Sequence, residues 1–223
     1  MKIECSNIYK SFGKKAVLQG ASFSAESGEC IGIVGANGSG KSTLLSILAG
    51  VVRADRGEFF CDGHDLFSWR REREKLVGYI PQGTPLLEEL SARDNLLLWY
   101  KKKDMEKELE TGVLKMLGID KFLKVSVRKM SGGMKKRLSI GCAVAKNPPI
   151  LLLDEPMAAL DLVCKKSIFD YLSEHKKRGG IAVVVTHDVL ELELCDRVYL
   201  MKGNTLSVLE KPYDVEKIVE SLG

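Results

Sequence analysis

The sequence predicts an α/β protein with a mixed, mainly parallel sheet, an N-terminal antiparallel β subdomain and an inserted helical subdomain. Three observations carry this expectation. Cys30-Ile31-Gly32-Ile33-Val34, Ile150-Leu151-Leu152-Leu153 and Ala182-Val183-Val184-Val185 are short, unbroken apolar runs, the pattern of strands buried on both faces. Helical segments separate them, as parallel pairing requires. A glycine-rich stretch at 35–42 ends the first run and opens a helix.

The elements follow in order. From Lys2 to Phe23 apolar positions alternate (Ile3, Cys5; Val17-Leu18; Ala21, Phe23), so strands are expected around a turn at Ser11-Phe12-Gly13-Lys14. After the glycine-rich stretch, Leu44-Leu45, Ile47-Leu48 and Val51 keep helical spacing, and Glu58 to Gly63 reads as a strand and turn. Met105, Leu109, Val113, Met116 and Leu117 fall on one face of a single expected helix. A further helix starts near Ser131, aligning Met134, Leu138, Cys142 and Ala145, with Pro148-Pro149 beyond its end. Lys165 to Lys176 is helical, and Arg197–Met201 with Leu206–Leu209 form a hairpin around Lys202-Gly203-Asn204. The β subdomain is expected within about 1–30 and 55–80, the helical one at about 84–147, and the core at about 31–50 and 148–223.

Composition excludes whole classes. With 45% hydrophobic and 29% charged residues the chain is neither collagenous nor disordered. The longest charge-free stretch, Leu76 to Leu87, holds two prolines and falls short of the ~20 apolar residues of a membrane span. Met1-Lys2-Ile3-Glu4-Cys5 lacks the apolar block of a secretory signal, which sets the expectation of a cytoplasmic protein. The excess of 34 Lys+Arg over 30 Asp+Glu is small and dispersed. Lys101-Lys102-Lys103, Lys135-Lys136-Arg137 and Lys176-Lys177-Arg178 read as solvated helix faces, and no nucleic-acid partner is expected. Six cysteines scattered singly read as buried free thiols in a reducing compartment.

The chemistry lies in Gly35-Ala36-Asn37-Gly38-Ser39-Gly40-Lys41-Ser42, which fits G-x-x-x-x-G-K-[ST] between a strand and a helix, and so predicts a P-loop NTPase core. Glycines let the backbone turn successive N–H groups to a phosphate, and the helix adds its positive end. Lys41 supplies a charge for the outer phosphates, and Ser42 a hydroxyl for Mg²⁺. Thr43 breaks G-x-G-x-x-G spacing, which disfavours a dinucleotide site. Asp154 and Glu155 end an apolar strand: Asp154 is the expected metal holder, Glu155 the group that polarises the attacking water. Met130-Ser131-Gly132-Gly133-Met134 opens a second helix suited to phosphate, which points to another molecule's nucleotide.

The loop at 35–42, Gln82, Ser131-Gly132-Gly133, Asp154-Glu155, Ala159-Leu160-Asp161 and Thr186-His187-Asp188 occur in the order that resembles the ATP-binding cassette (ABC) family, over nearly the whole chain. The resemblance implies ATP and Mg²⁺ bound by Gly35, Ala36, Asn37, Gly38, Ser39, Gly40, Lys41, Ser42 and Thr43, with Phe12 stacked on adenine. It implies a metal and water contact for Gln82, a γ-phosphate contact for His187, and cross-dimer communication for Asp161, whose competing role is helix capping. Ser131, Gly132 and Gly133 would bind the ATP of a second ATPase copy, and a separate transmembrane permease subunit would take up the motion at the inner membrane face. Met130 and Met134 stand where Leu and Gln are common, and Leu162 where exporters often have Pro. Residues 131–138 resemble drug- and lipid-exporting members, so export is expected; the alternative is a soluble ABC ATPase, for example in cluster assembly.

Overall fold

The computed structural model describes residues 1–158, 160–186 and 188–210; Ala159 and His187, both named above, lie outside them. The chain runs β1 (Lys2–Phe12), β2 (Lys15–Glu26), β3 (Cys30–Gly35), α1 (Lys41–Leu48), β4 (Arg56–Cys61), β5 (His64–Asp65), α2 (Arg70–Leu76) and β6 (Val77–Ile80). It continues through α3 (Ala92–Leu97), α4 (Lys102–Glu110), α5 (Val113–Met116), α6 (Gly132–Ala143), β7 (Ile150–Asp154), α7 (Leu162–Lys177), β8 (Ile181–Val185), α8 (Val189–Leu192), β9 (Arg197–Lys202) and β10 (Thr205–Leu209).

Two sheets result. The first, ordered β2-β1-β4-β5, is antiparallel, and the second is ordered β10-β9-β3-β8-β7-β6. In the second, β9, β3, β8, β7 and β6 are parallel and only β10 runs against its neighbour. The unbroken apolar runs become β3, β7 and β8, buried at every position. Their side chains divide by pleat between two cores. Leu151, Leu153, Ala182 and Val184 pack with Leu96, Met105, Leu138 and Ile168 on the helical side. Ile150, Leu152, Val183 and Val185 pack with Leu44, Leu45, Ile3 and Phe59 on the side of the antiparallel sheet. Full burial of each such side chain is worth about 1.5–3 kcal/mol, which fixes the register of the central strands.

Three expectations are corrected. Val77–Ile80, placed within the β subdomain, pairs with β7 and forms the edge of the six-stranded sheet. The single helix carrying Met105 to Leu117 is two, because Gly112 is extended and the Glu108 carboxylate accepts from the Val113 N–H at 2.7 Å, starting a new turn. Met116 is left exposed as a result. Lys135-Lys136-Arg137 is not a uniformly solvated face, since Lys136 is only 5% exposed. The six cysteines are buried free thiols, as their apolar surroundings in sequence indicate. Among the described residues no helix is long and apolar enough to cross a membrane.

Candidate functional site

Parallel order brings the carboxyl ends of β3, β7 and β6 to one edge of the sheet, with Gly35–Ser42, Asp154-Glu155 and Gln82 respectively at or just beyond them. A cavity of about 510 Å³ opens there, lined by Phe12, Lys15, Val17, Asn37, Gly38, Gly40, Lys41, Ser42, Thr43, Gln82 and Glu155. The loop folds tightly for local reasons. Gly40 has φ +110°, and a Cβ there would meet the Val17 carbonyl at 2.8 Å, so both conformation and space demand glycine. Lys41 is buried, its ammonium donating to the Gly35 and Ala36 carbonyls at 2.7 and 2.9 Å. Burial pulls its pKa below the usual ammonium value, against the pull of Glu155 and Asp154. Gly35, Ala36 and Ser39 do not line the cavity; the Ser39 hydroxyl is buried with no hydrogen-bond partner.

Asp154 ends β7 in full burial, which pushes its carboxyl above the ordinary value while a hydrogen bond from Ser42 and the Lys136 and Lys41 charges oppose the rise. Its Oδ1 is buried without a hydrogen-bond partner. A bare carboxylate oxygen next to a serine hydroxyl is the hard-oxygen donor set that Mg²⁺ takes beside substrate phosphates. The residues therefore fit that ion. Glu155 turns sharply, with φ 47°, a conformation that non-glycine residues adopt rarely and mostly where neighbours enforce it. Its N–H donates to Val185 O at 2.9 Å, and its Oε2 accepts from the Gln82 side-chain amide, also at 2.9 Å. Phe12, at the end of β1, is 52% exposed over the cavity, with the Lys10 ammonium 5.3 Å from its ring.

Ser131, Gly132, Gly133 and Asp161 do not line this cavity. Ser131 caps α6, its hydroxyl accepting from Met134 N at 3.2 Å. A Cβ on Gly133 would meet Cys164 Sγ at 2.7 Å, whereas one on Gly132 would meet nothing within 4 Å. Asp161 caps α7, accepting from Cys164 N at 2.8 Å, and that bond holds its carboxyl below the usual range.

Residues 18–158, more than half of the chain, match the ABC transporter family. The chain belongs to the ABC transporter family. It is an ATPase subunit of that family. The linearmycin resistance ATP-binding protein LnrL of Bacillus subtilis is 32% identical over 212 residues, 92% of this chain and 68% of that protein. The Nod factor export ATP-binding protein I of a Rhizobium species is 34% identical over 205 residues, 90% of this chain and 67% of that one. Among solved structures, the dimeric ATP-binding cassette MJ0796 in a post-hydrolysis state, bound to ADP and Pi, superposes with TM-score 0.81 at 28% identity, covering 92% of this chain and 96% of that one. An ATP-binding subunit of an ABC transporter superposes with TM-score 0.84 at 24% identity, covering 100% and 95%, a likeness of fold.

In this ABC ATPase, three residues at or near the site escaped the sequence reading. Lys15 and Val17 line the cavity because β2 returns past the P-loop, a long-range placement with no local signal. Lys136 lies five residues after Ser131 in a basic run, and its ammonium donates to Pro81 O at 2.8 Å and to Gln82 O and Asp154 O at 3.4 Å. Ile140, at i+4 and so on the same helix face, was the available hint that this member of the run faces inward.

Proposed function

We propose that this ABC ATPase powers export through a separate transmembrane permease subunit, working as a dimer that closes head to tail around ATP. The observation that carries the reading is the separation of two phosphate-suited helix starts: α1 opens on the 510 Å³ cavity, and α6 does not. A site split in this way is completed by a second copy, whose Ser131, Gly132 and Gly133 face the ATP held by Gly35–Thr43. Open space at Gly132 supports it, as do the exposed Leu162 and Val163 (79% and 74%) beside Asp161, apolar side chains that a partner would cover. Asp161 then faces the second copy while capping α7, and His187, which follows β8, contacts the γ-phosphate.

Each residue has a task in hydrolysis. Phe12 stacks on adenine. The Lys41 ammonium exchanges the Gly35 and Ala36 carbonyls for phosphate oxygens, and the backbone of Asn37 to Thr43 turns N–H groups to the same charge. Ser42 and Asp154, with Gln82 nearby, would hold Mg²⁺, which would supply neutralisation of phosphate charge. The Glu155 carboxylate takes the proton of the water that attacks the γ-phosphorus as the bond to the ADP oxygen breaks. Gln82, bonded to Glu155, fixes its orientation.

The helical insert of about 84–147 transmits motion to the permease. Leu97, Leu98 and Trp99 at the end of α3, and Leu87 bonded to Asn95, are exposed apolar groups that support a docking face there. The named relatives serve export and resistance, which favours export over a soluble role, and the subunit would sit peripherally on the cytoplasmic membrane face. Light-scattering mass of the Glu155→Gln protein with MgATP tests the assembly. A doubled mass that Ser131→Arg abolishes is expected, with monomer ATP affinity intact. A dimer that survives Ser131→Arg refutes the shared site.

A further inference from the structure

We infer that Lys136 is a positioning residue whose ammonium ties the first turns of α6 to the ends of β6 and β7, and so sets where Ser131–Gly133 stands relative to Gln82. The inference rests on the shared-site reading and names the part of the chain that connects its two halves.

The three consecutive cations of α6 fan out. Lys135 reaches the surface carboxylate of Glu88 at 3.4 Å. Arg137 turns within the helical insert, donating to Leu117 O at 2.9 Å and lying 5.2 Å from the Phe122 ring centre. Lys136 points the other way and is buried. An ammonium has three N–H donors and no acceptor, and here three carbonyls face it: Pro81, Gln82 and Asp154. Burial draws its pKa down, while the carboxylates of Asp154, Glu155 and Glu191 hold it up.

A buried lysine is costly unless its charge is fully engaged, so one held among carbonyls of two catalytic segments is poorly explained by packing alone. Its contacts give it a connecting role. Gln82 is gripped at two points, its carbonyl by Lys136 and its side-chain amide by Glu155 Oε2. Any displacement of α6 therefore pulls on the main chain at Pro81-Gln82 and at Asp154. Conversely, a change at Gln82 when nucleotide arrives is passed five residues along α6 to the Ser131 cap. Packed helices have discrete seats, which makes a single buried link an effective coupling.

The test compares Lys136→Met, which keeps length but loses charge and donors, with Lys136→Arg, which keeps both. ATP affinity of the monomer is expected within about two-fold of wild type for either, because the P-loop is untouched. ATP-driven dimerisation in the Glu155→Gln background, and kcat with Glu155 present, should fall about ten-fold in Lys136→Met and recover substantially in Lys136→Arg, as for the loss of a hydrogen-bonded charge. Amide exchange needs no dimer: in Lys136→Met it should quicken at 82–84 and 132–136 and stay unchanged in α1. Lys136→Gln replaces the Met variant if that variant does not fold. Wild-type exchange, or kcat and dimerisation that fall only in step with ATP affinity and thermal stability, overturns the inference. If the Glu155→Gln parent itself never dimerises, the shared-site reading fails, and the exchange pattern still decides whether Lys136 couples the segments.

Discussion

Helices α1 and α6 both begin in glycine-rich segments, yet their first turns are built differently. At α1 the N-cap is Gly40, in a left-handed conformation, and no side-chain oxygen caps the turn. Lys41 folds back onto the carbonyls of its own loop. At α6 the Ser131 hydroxyl caps the turn, and Gly133 is packed against Cys164. The first start opens on the cavity, and its lysine is held by two carbonyls of its own loop, which phosphate oxygens would replace on the proposed reading. The second is already satisfied by its own chain, and only Gly132 offers an open approach. A helix start completed in this way is suited to meet a phosphate that something else presents, and a lone helix end is a weak anion site in water.

Substitutions on either side put this contrast to the test. The largest effect is expected at the first site. Glu155→Gln removes the proposed proton acceptor, so turnover should fall by about 10²–10⁴-fold while ATP binding persists. Steady-state phosphate release checks it, and wild-type turnover would remove Glu155 from the mechanism. Lys41→Ala should weaken ATP binding by about 10²–10⁴-fold, the worth of two hydrogen bonds to a charged group at about 1.5–3 kcal/mol each. Titration calorimetry with MgATP reads it directly.

The glycines of the second start should separate fold from function. Gly133→Ala drives a methyl into Cys164 Sγ, an overpacking of about 1–3 kcal/mol that lowers the melting temperature by several degrees. Gly132→Ala meets no neighbour and should leave the melt within about 1 kcal/mol of wild type, yet reduce hydrolysis if a second copy's phosphate lies there. Equal melts for the two variants would mean that Gly133 is no more tightly packed than Gly132.

The effect farthest from the nucleotide lies behind both sites. Glu191, in α8, is buried, and burial pushes its carboxyl from 4.5 up to about 7, although bonds from Thr186 and the Met157 N–H favour the charged form. The native state thus keeps a proton that the unfolded chain releases. Stability from this group is full below about pH 4.5 and is lost as pH rises through about 7. Glu191→Gln should match wild type near pH 4.5 and exceed it at pH 8 by about 3 kcal/mol, several degrees in thermal melts. A constant difference across that range would mean that Glu191 does not titrate on unfolding.

What is written in contiguous residues could be read directly from the chain. The apolar runs of β3, β7 and β8, the loop at 35–42 and the carboxylates ending β7 are local patterns, each tied to its backbone state by burial on two faces or by glycine conformation. Phe12 and Gln82, which line the cavity, were picked out by order and spacing within a family pattern, not by any local chemistry, and Asp161, picked out the same way, caps α7. Tertiary structure decided the rest. It moved Val77–Ile80 to the edge of the central sheet, because parallel pairing with β7 is a contact across some seventy residues that periodicity does not encode. It split the 105–117 helix through a side chain reaching back from Glu108 to Val113 N, a competition between backbone and carboxylate that hydrophobic spacing cannot register. It turned Lys136 inward while Lys135 and Arg137 went elsewhere, since three adjacent cations look alike until the carbonyls of Pro81, Gln82 and Asp154 converge on one of them.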